Sequence, residues 1–462
     1  MRRITHTTER KGRSHRLVAI AALAILTVVL AGAWQSAYAQ MSGRQMEDKT
    51  ITPAIQKEII DSVCMALDSI YIFPDVATKM AKLVRGKYKK NEYASLTSTR
   101  EFTRQLTEDL LSVSHDRHIG VAYLSDEDIG HLVNDTITDA EKEQQLRERQ
   151  RDNFGWKEVK ILPGNVGYVD LRGFSNAEAA GGTAIAAMNF LGYTDAVIFD
   201  LRQNGGGSPS MIQLISSYLF EEPKHLNSFY IRREDTVEQF WTQAYVPGPK
   251  MVNTDVYVLT SHRTFSAAEE FTYNLKNMER ATIVGDTTGG GAHPVEGQIF
   301  PNLNVQMRVP FGRAINPITG TNWEGTGVAP DIVVPADDAY DVAYLEALKK
   351  IRDRLPEDER FEVEWTLQGL EAEANPPTVD AGTLAAYAGS YGPRTIRMED
   401  GGLVYQRGEN PPMKMIPMSQ TMFRFDEIGY FRLEVVLDDS GKPVELVGHY
   451  DNGNLDKSPR TN

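Results

Sequence analysis

From Asn165 onward the chain alternates short β-rich runs with helical ones, and no other feature limits its fold so strongly. "NVGYVDL" is followed by "NAEAAGGTAIAAMNFL", "DAVIFDL" by "PSMIQLISSYLF", and "DVYVLT" by "AAEEFTYNLKNM" and then "ATIVGD". A strand reached through a crossover helix runs parallel to its predecessor, so this texture predicts an α/β core with a largely parallel sheet over residues 157–350. Before it, residues 45–125 carry apolar positions at three- and four-residue spacing, as in "IQKEIIDSVCMALDSIYIF", and predict a small helical domain. Residues 126–156 are a charged connector. After the core, residues 351–379 are acidic and proline-bearing, a helix and linker. Residues 380–458 show period-two runs broken by "EDGG", "GENPP" and "DDSGKP", the pattern of an all-β meander. The expected fold class is thus α/β within an α+β multidomain chain.

The first residues read as an address. Arg2, Arg3, Arg10, Lys11, Arg13 and Arg16 precede the apolar run "LVAIAALAILTVVLAGA" and the small-residue site "SAYAQ". That is a secretory signal over residues 1–39 with cleavage after Ala39; the alternative is an uncleaved membrane anchor over residues 17–33. Either way the folded part is expected outside the cytoplasm, periplasmic or extracellular. A net charge of -14 argues against nucleic acid or an anionic membrane surface as the main partner. One cysteine, Cys64, excludes an internal disulfide, and its apolar helical setting predicts an inert buried thiol. No HExxH or clustered Cys/His pattern is present, so neither a metal nor another cofactor is expected.

Two loops stand where chemistry is favoured, each between a strand and a helix. In "VLTSHRTFSAAEEF", Ser266 and Glu269 have the spacing of a capping box, in which each side chain satisfies an amide of the first turn. The cap does not exclude catalysis, because a helix N-terminus also favours developing negative charge. In "DLRQNGGGSP", Gly205, Gly206 and Gly207 let backbone amides turn toward a cleft, although a tight turn alone would use the same glycines. No lysine completes a phosphate-binding loop there. A serine nucleophile needs a base, and the candidates are His118 in "SVSHDRHIGVAY", its neighbour His115, His262, and His293 in "GDTTGGGAHP". Spacing does not choose among them, nor does it name the acid, since such partners meet in space; Glu324 in "NWEGTGVAPDIVV" is one of 63 acidic residues.

Several ordered stretches together resemble the tail-specific, or C-terminal-processing, serine peptidase family. They are "YIFPDVATKMAKLV", "LTEDLLSVSHDRHIGV", "VIFDLRQNGGG", "TSHRTFSAAEEF", "IVGDTTGGGAHP" and "GTGVAPDIVV". The likeness is strongest to the branch similar to interphotoreceptor retinoid-binding protein and the core of tricorn protease. The resemblance implies a ClpP/crotonase-like β-α superhelix, Ser266 as nucleophile, and Gly206 and the Ala267 amide as oxyanion donors. It further implies His118 as base and Glu324 as its acidic partner. It also implies an exported endopeptidase acting on proteins or peptides. Three departures are visible. Arg117 stands where that branch has a serine before the histidine, and Gly290 stands where the lysine-dependent branch has its base. The interval between His118 and Gly164 is too short for a PDZ domain of ordinary size. The competing reading is a binding protein that keeps the scaffold and uses its cleft for a hydrophobic ligand or peptide. A crotonase-type acyl-CoA enzyme shares the fold, but export and the serine motif speak against it.

Overall fold

The computed structural model describes residues 48–133 and 139–461, so the expected signal peptide lies outside the described residues. Two compact units are present. The first comprises the described residues up to Lys160 together with Gly167–Tyr340, and the second Ile161–Val166 with Asp341–Asn462.

The first unit begins with three helices, α1 (Pro53–Ile70), α2 (Pro74–Lys89) and α3 (Thr99–Ser114). Their starts are chemically marked: the Thr52 hydroxyl accepts the Ile55 N–H at 3.3 Å, and the Ser98 hydroxyl accepts the Glu101 N–H at 3.0 Å. Ile59, Val63 and Leu67 recur at helical spacing and meet Phe102, Leu106 and Leu110 in one buried cluster. Cys64 lies buried among them, and burial pushes its thiol up to about 11, which leaves it unreactive at neutral pH. Val305, Met307 and Val309 of β10 (Val305–Pro310) complete that cluster. The strand β1 (Gly120–Tyr123) pairs antiparallel with β10, which pairs with β9 (Val295–Phe300). The helical region is therefore sewn into the later part of the chain. Between them lie α4 (Asp126–Val133) and α5 (Asp139–Arg151), and α5 buries no residue.

The central sheet has six strands. They are β2 (Trp156–Leu162), β3 (Val166–Leu171), β4 (Ala196–Asp200), β7 (Asp255–Thr260), β8 (Thr282–Gly285) and β12 (Ile332–Val333), in the order β12-β8-β7-β4-β3-β2. β4, β7, β8 and β12 run parallel, as the βα texture predicts. Helices α6 (Ala177–Phe190), α7 (Pro209–Ser217) and α8 (Ala267–Asn277) supply Ala184, Ile212, Phe271 and Leu275 to a core shared with Val197, Phe199 and Val258. The register pairs Asp200 with Leu259. The loops that leave β4 and β7 are thereby neighbours at the carboxyl end of the sheet, where open α/β sheets form their crevice. A second small sheet, β5 (His225–Ile231), β6 (Thr236–Trp241) and β11 (Gly312–Ile315), has β5 in the middle.

The second unit holds an eight-stranded sheet in strict sequential order from residue 389 to residue 459. Its antiparallel pairs alternate inward residues such as Tyr391, Tyr405, Phe423, Leu433 and Leu446 into one cluster. The Thr461 N–H donates to the Ser390 carbonyl at 2.8 Å, which brings the end of the chain back to the first strand. Arg394 is fully buried inside, and its guanidinium donates to Asp456 at 2.7 Å and to Ser458 at 2.9 Å. A buried cation is tolerated there because the Asp456 carboxylate supplies its counter-charge. Among the described residues no helix is long and apolar enough to cross a membrane.

Candidate active site

Ser266 sits at the N-terminus of α8 with φ 54° and ψ -121°. A β-carbon makes this a costly backbone state, so surrounding contacts must hold it. Glu269 is one such contact. Its carboxylate, with no exposed surface, accepts the Ser266 N–H at 2.9 Å. The same carboxylate accepts the Thr288 hydroxyl at 2.5 Å and the N–H groups of Gly290 and Gly291 at 2.6 and 2.8 Å. Burial raises its pKa, and these four donors oppose that rise. Glu269 is thus more than a helix cap: it fastens the turn at Ser266 to the loop 288–291. Ala267 occupies the first helical position, where the N–H has no intrahelical partner.

The glycine loop approaches from β4. The Asn204 side chain, fully buried, donates to the Leu171 carbonyl at 2.8 Å, and the Asn204 carbonyl accepts the Phe265 N–H at 3.1 Å. Gly206 lies directly against the serine: a β-carbon there would come within 2.9 Å of both Ser266 Cβ and the Ala267 nitrogen. The Gly206 N–H, however, is donated to Asn204 Oδ1 at 2.9 Å, so this amide is engaged and does not fill the donor role that the family resemblance implies. Gly207 differs. It forms a parallel bridge with Phe174, in which the Gly206 carbonyl accepts the Phe174 N–H and the Ser208 N–H reaches the Phe174 carbonyl. In such a bridge the groups of Gly207 itself point away from Phe174. Gly205 is a half-buried member of the same turn.

The histidines are sorted by their surroundings. His262 is exposed, and His115 ends α3 in the left-handed conformation at φ 55°. That reversal carries the chain into the turn Asp116-Arg117-His118, where Asp116 Oδ1 accepts the His118 N–H at 3.0 Å. The His118 imidazole is buried, packs on Phe265 with ring centroids 4.8 Å apart, and has its Nδ1 3.8 Å from Asp116 Oδ1. That separation is too long for a hydrogen bond, and His118 Nδ1 has no partner. Burial lowers its pKa to about 4 against the opposing pull of Asp116.

His293 is buried as well, and its Nδ1 is 2.6 Å from Asp116 Oδ2 and 3.5 Å from Glu324 Oε2. Glu324 Oε2 accepts the Ala292 N–H at 2.6 Å, whereas its Oε1 is buried without a donor. Burial and the neighbouring Asp116 charge push the Glu324 carboxyl up to about 7. Burial also disfavours the Asp116 anion, but the His293 hydrogen bond and the two imidazoles outweigh it and hold its pKa below the usual range. Ligand atoms of Asp116, His118 and Glu324 lie within 4.8 Å of one another, a grouping the sequence did not announce. Asp116 itself went unrecognised there, although its place two residues before His118 was a usable signal.

Two of the departures, Arg117 and Gly290, have structural reasons. Arg117 donates to the Gly289 carbonyl at 2.8 Å and lies over the Phe265 ring at 5.5 Å, so it anchors the 289–292 loop. Gly290 has φ 82°, and a β-carbon there would meet the backbone of residues 325–327 at 3.1 to 3.3 Å. No lysine fits that position without moving the loop.

Comparison with known proteins gives the family. The profile of peptidase family S41 matches residues 165–334, and the profile of the N-terminal domain of S41 peptidases in eukaryotic IRBP matches residues 52–153. Among solved structures, a putative S41 protease from Bacteroides fragilis is 19% identical with a TM-score of 0.35, over 47% of this chain and 58% of that one. A putative peptidase from Parabacteroides merdae is 21% identical with a TM-score of 0.42, over 71% of this chain and 99% of that one. The photosystem II D1 C-terminal processing protease is 15% identical with a TM-score of 0.40, over 61% and 94%. None of the three exceeds a TM-score of 0.42, so the assignment stands on the two profiles. Together these cover more than half of the chain and frame every side chain of the site described above, and the chain belongs to peptidase family S41, a family of serine-type peptidases.

Proposed function

We infer that the protein is an exported serine endopeptidase in which Ser266 is the nucleophile and His118 the base. The observation that carries this reading is the convergence at Ser266: a strained residue at a helix N-terminus, the open Ala267 amide beside it, and Gly206 packed against both. His118 Nε2 takes the hydroxyl proton as Ser266 Oγ attacks a peptide carbonyl. The oxyanion lies between the Ala267 N–H and the Gly207 N–H, the latter replacing Gly206, whose amide is engaged. His118 then protonates the leaving amine, and water releases the acyl-enzyme. Asp116 Oδ1 is the nearest acid to His118 Nδ1 and orients it once the 3.8 Å gap closes on substrate. Glu324 is linked to that acid through His293 and shapes its charge.

A positively charged start followed by an apolar run and a small-residue site supports export, with Gln40 as the first mature residue. Sequencing the N-terminus of the protein recovered outside the cytoplasm tests this. The substrates are proteins or peptides by the family's chemistry.

Hydrolysis of casein and fluorophosphonate labelling of Ser266 test the mechanism together. Activity in the parent with none in Ser266→Ala or His118→Ala is the expected result. An inactive parent whose serine resists the probe would hand the scaffold to the ligand-binding reading.

A further inference from the structure

We propose that Asp116, His118 and Glu324 form a site for one divalent transition-metal cation, with Zn2+ as the fitting ion, whose binding silences the serine centre. The free ligand atoms are already distributed for it. Each carboxylate has one oxygen turned to a neighbouring loop, Asp116 Oδ2 to the His293 Nδ1 at 2.6 Å and Glu324 Oε2 to the Ala292 N–H at 2.6 Å, and Asp116 Oδ1 also accepts the His118 N–H at 3.0 Å. What remains is the partnerless and buried His118 Nδ1, Glu324 Oε1, buried without a donor, and the second lone pair of Asp116 Oδ1, which lies 3.8 Å from His118 Nδ1. Two acids and one neutral imidazole would leave a bound dication electrically neutral in a buried setting.

The geometry and the ligand types choose the ion. Ligands about 2.1 Å from a tetrahedral zinc lie roughly 3.4 Å from each other, so the Asp116 and His118 atoms need little movement. Ligand atoms of the three residues lie within 4.8 Å of one another, and Glu324 Oε1 has no hydrogen bond of its own to break as it turns to an ion. Calcium wants six or more oxygens and magnesium an octahedron, whereas imidazole with carboxylates and an open fourth place suits zinc. His293 supplies the outer support that ligating carboxylates usually have. Phe265 packs against the His118 ring with centroids 4.8 Å apart. Glu324, with 16% of its side chain exposed, gives the ion its way in.

The consequence rests on His118 being the base. A cation on Nδ1 confines the single proton of the neutral imidazole to Nε2, which can then donate but not accept, so the Ser266 proton has nowhere to go. The ion inhibits and takes no part in the reaction.

Cobalt(II) is the optical probe, titrated into the untagged full chain carrying Ser266→Ala and then displaced by Zn2+. One equivalent with visible ligand-field bands is expected. Binding should weaken about 100-fold with His118→Ala and at least about 10-fold with the isosteric Glu324→Gln, and about 10-fold with His293→Gln. Circular dichroism verifies that each variant is folded. In the active parent, Zn2+ should reduce hydrolysis in step with occupancy, and a chelator should restore it. No bands in excess cobalt, bands indifferent to both His118→Ala and Glu324→Gln, or full occupancy without inhibition would each overturn the proposal. A parent that hydrolyses nothing in chelator sinks the peptidase reading instead, and the optical titration still reports on the site.

Discussion

Ser266, Ala267 and Gly206 come from two loops on adjacent parallel strands, whereas Asp116, His118, His293 and Glu324 come from three segments spread between residues 116 and 324. On the nucleophile side the polar groups that hold the turn are satisfied: Asn204 binds the glycine loop, and Glu269 accepts four donors. On the base side, His118 Nδ1 and Glu324 Oε1 are buried without partners. The first half is rigid because a strained φ survives only where its surroundings are over-determined. The second keeps spare coordination capacity, and small movements there decide whether the imidazole is oriented.

The comparison breaks most visibly at the nucleophile. Ser266→Ala should lower kcat by about 10⁴-fold or more, and adding His118→Ala should cost little further, because members of one catalytic unit are not additive. Independent losses from the two sides, measured by casein hydrolysis, would show that they do not act as one unit. Next comes Asp116→Asn, expected to reduce kcat by about 10³-fold with the fold intact, since an amide cannot hold the imidazole in the accepting tautomer. An equal loss in Glu324→Gln and none in Asp116→Asn would move the orienting role to Glu324.

Gly206→Ala tests the rigid side alone. Its β-carbon would press on the Phe265 carbonyl at 2.8 Å and the Ala267 nitrogen at 2.9 Å, so activity should fall about 100-fold. A nearly unchanged rate would mean that the loop yields. Glu269→Gln places an amide NH2 against N–H donors and should cost about 2–3 kcal/mol in denaturant unfolding. Loss of activity at unchanged stability would contradict that.

The smallest expected effect is in pH. His118, held at about 4 by burial, is neutral and able to accept a proton above that value, so kcat/KM should rise as pH climbs through about 4. If the Glu324 charge strengthens the base, a second, few-fold rise follows near 7 and disappears in Glu324→Gln. Its carboxyl is raised from 4.5 to about 7, so the folded state keeps a proton that the unfolded chain has released. The associated stability is present at low pH and lost as pH rises through about 7. Glu324→Gln should therefore improve the relative melting temperature more at pH 8 than at pH 5.

Much of this is legible in the sequence. The βα texture announced the parallel strands β4, β7 and β8, and the serine and glycine loops were recognisable because each is a contiguous motif at a strand end. The helical region was legible by its periodicity, though not its union with the core, because β10 lies far along the chain and joins it by strand pairing. The sequence marks Glu269 only as a cap, since a spacing of three says nothing about a loop about twenty residues away that shares its carboxylate. The family resemblance implies Gly206 as an amide donor, but the direction of one peptide plane is not visible in a sequence.

Local chemistry, then, was determined by the sequence alone: where strands and helices begin, where the chain must turn on glycine, and which serine heads a helix. These depend on neighbours a few residues apart, whose spacing is written in the chain. Which histidine meets which acid was decided only by the tertiary structure. Asp116 is shared between His118 and His293, and Gly290 is closed to a side chain by residues 325–327, because burial and pairing depend on segments that approach only when the sheet and its flanking strands are complete.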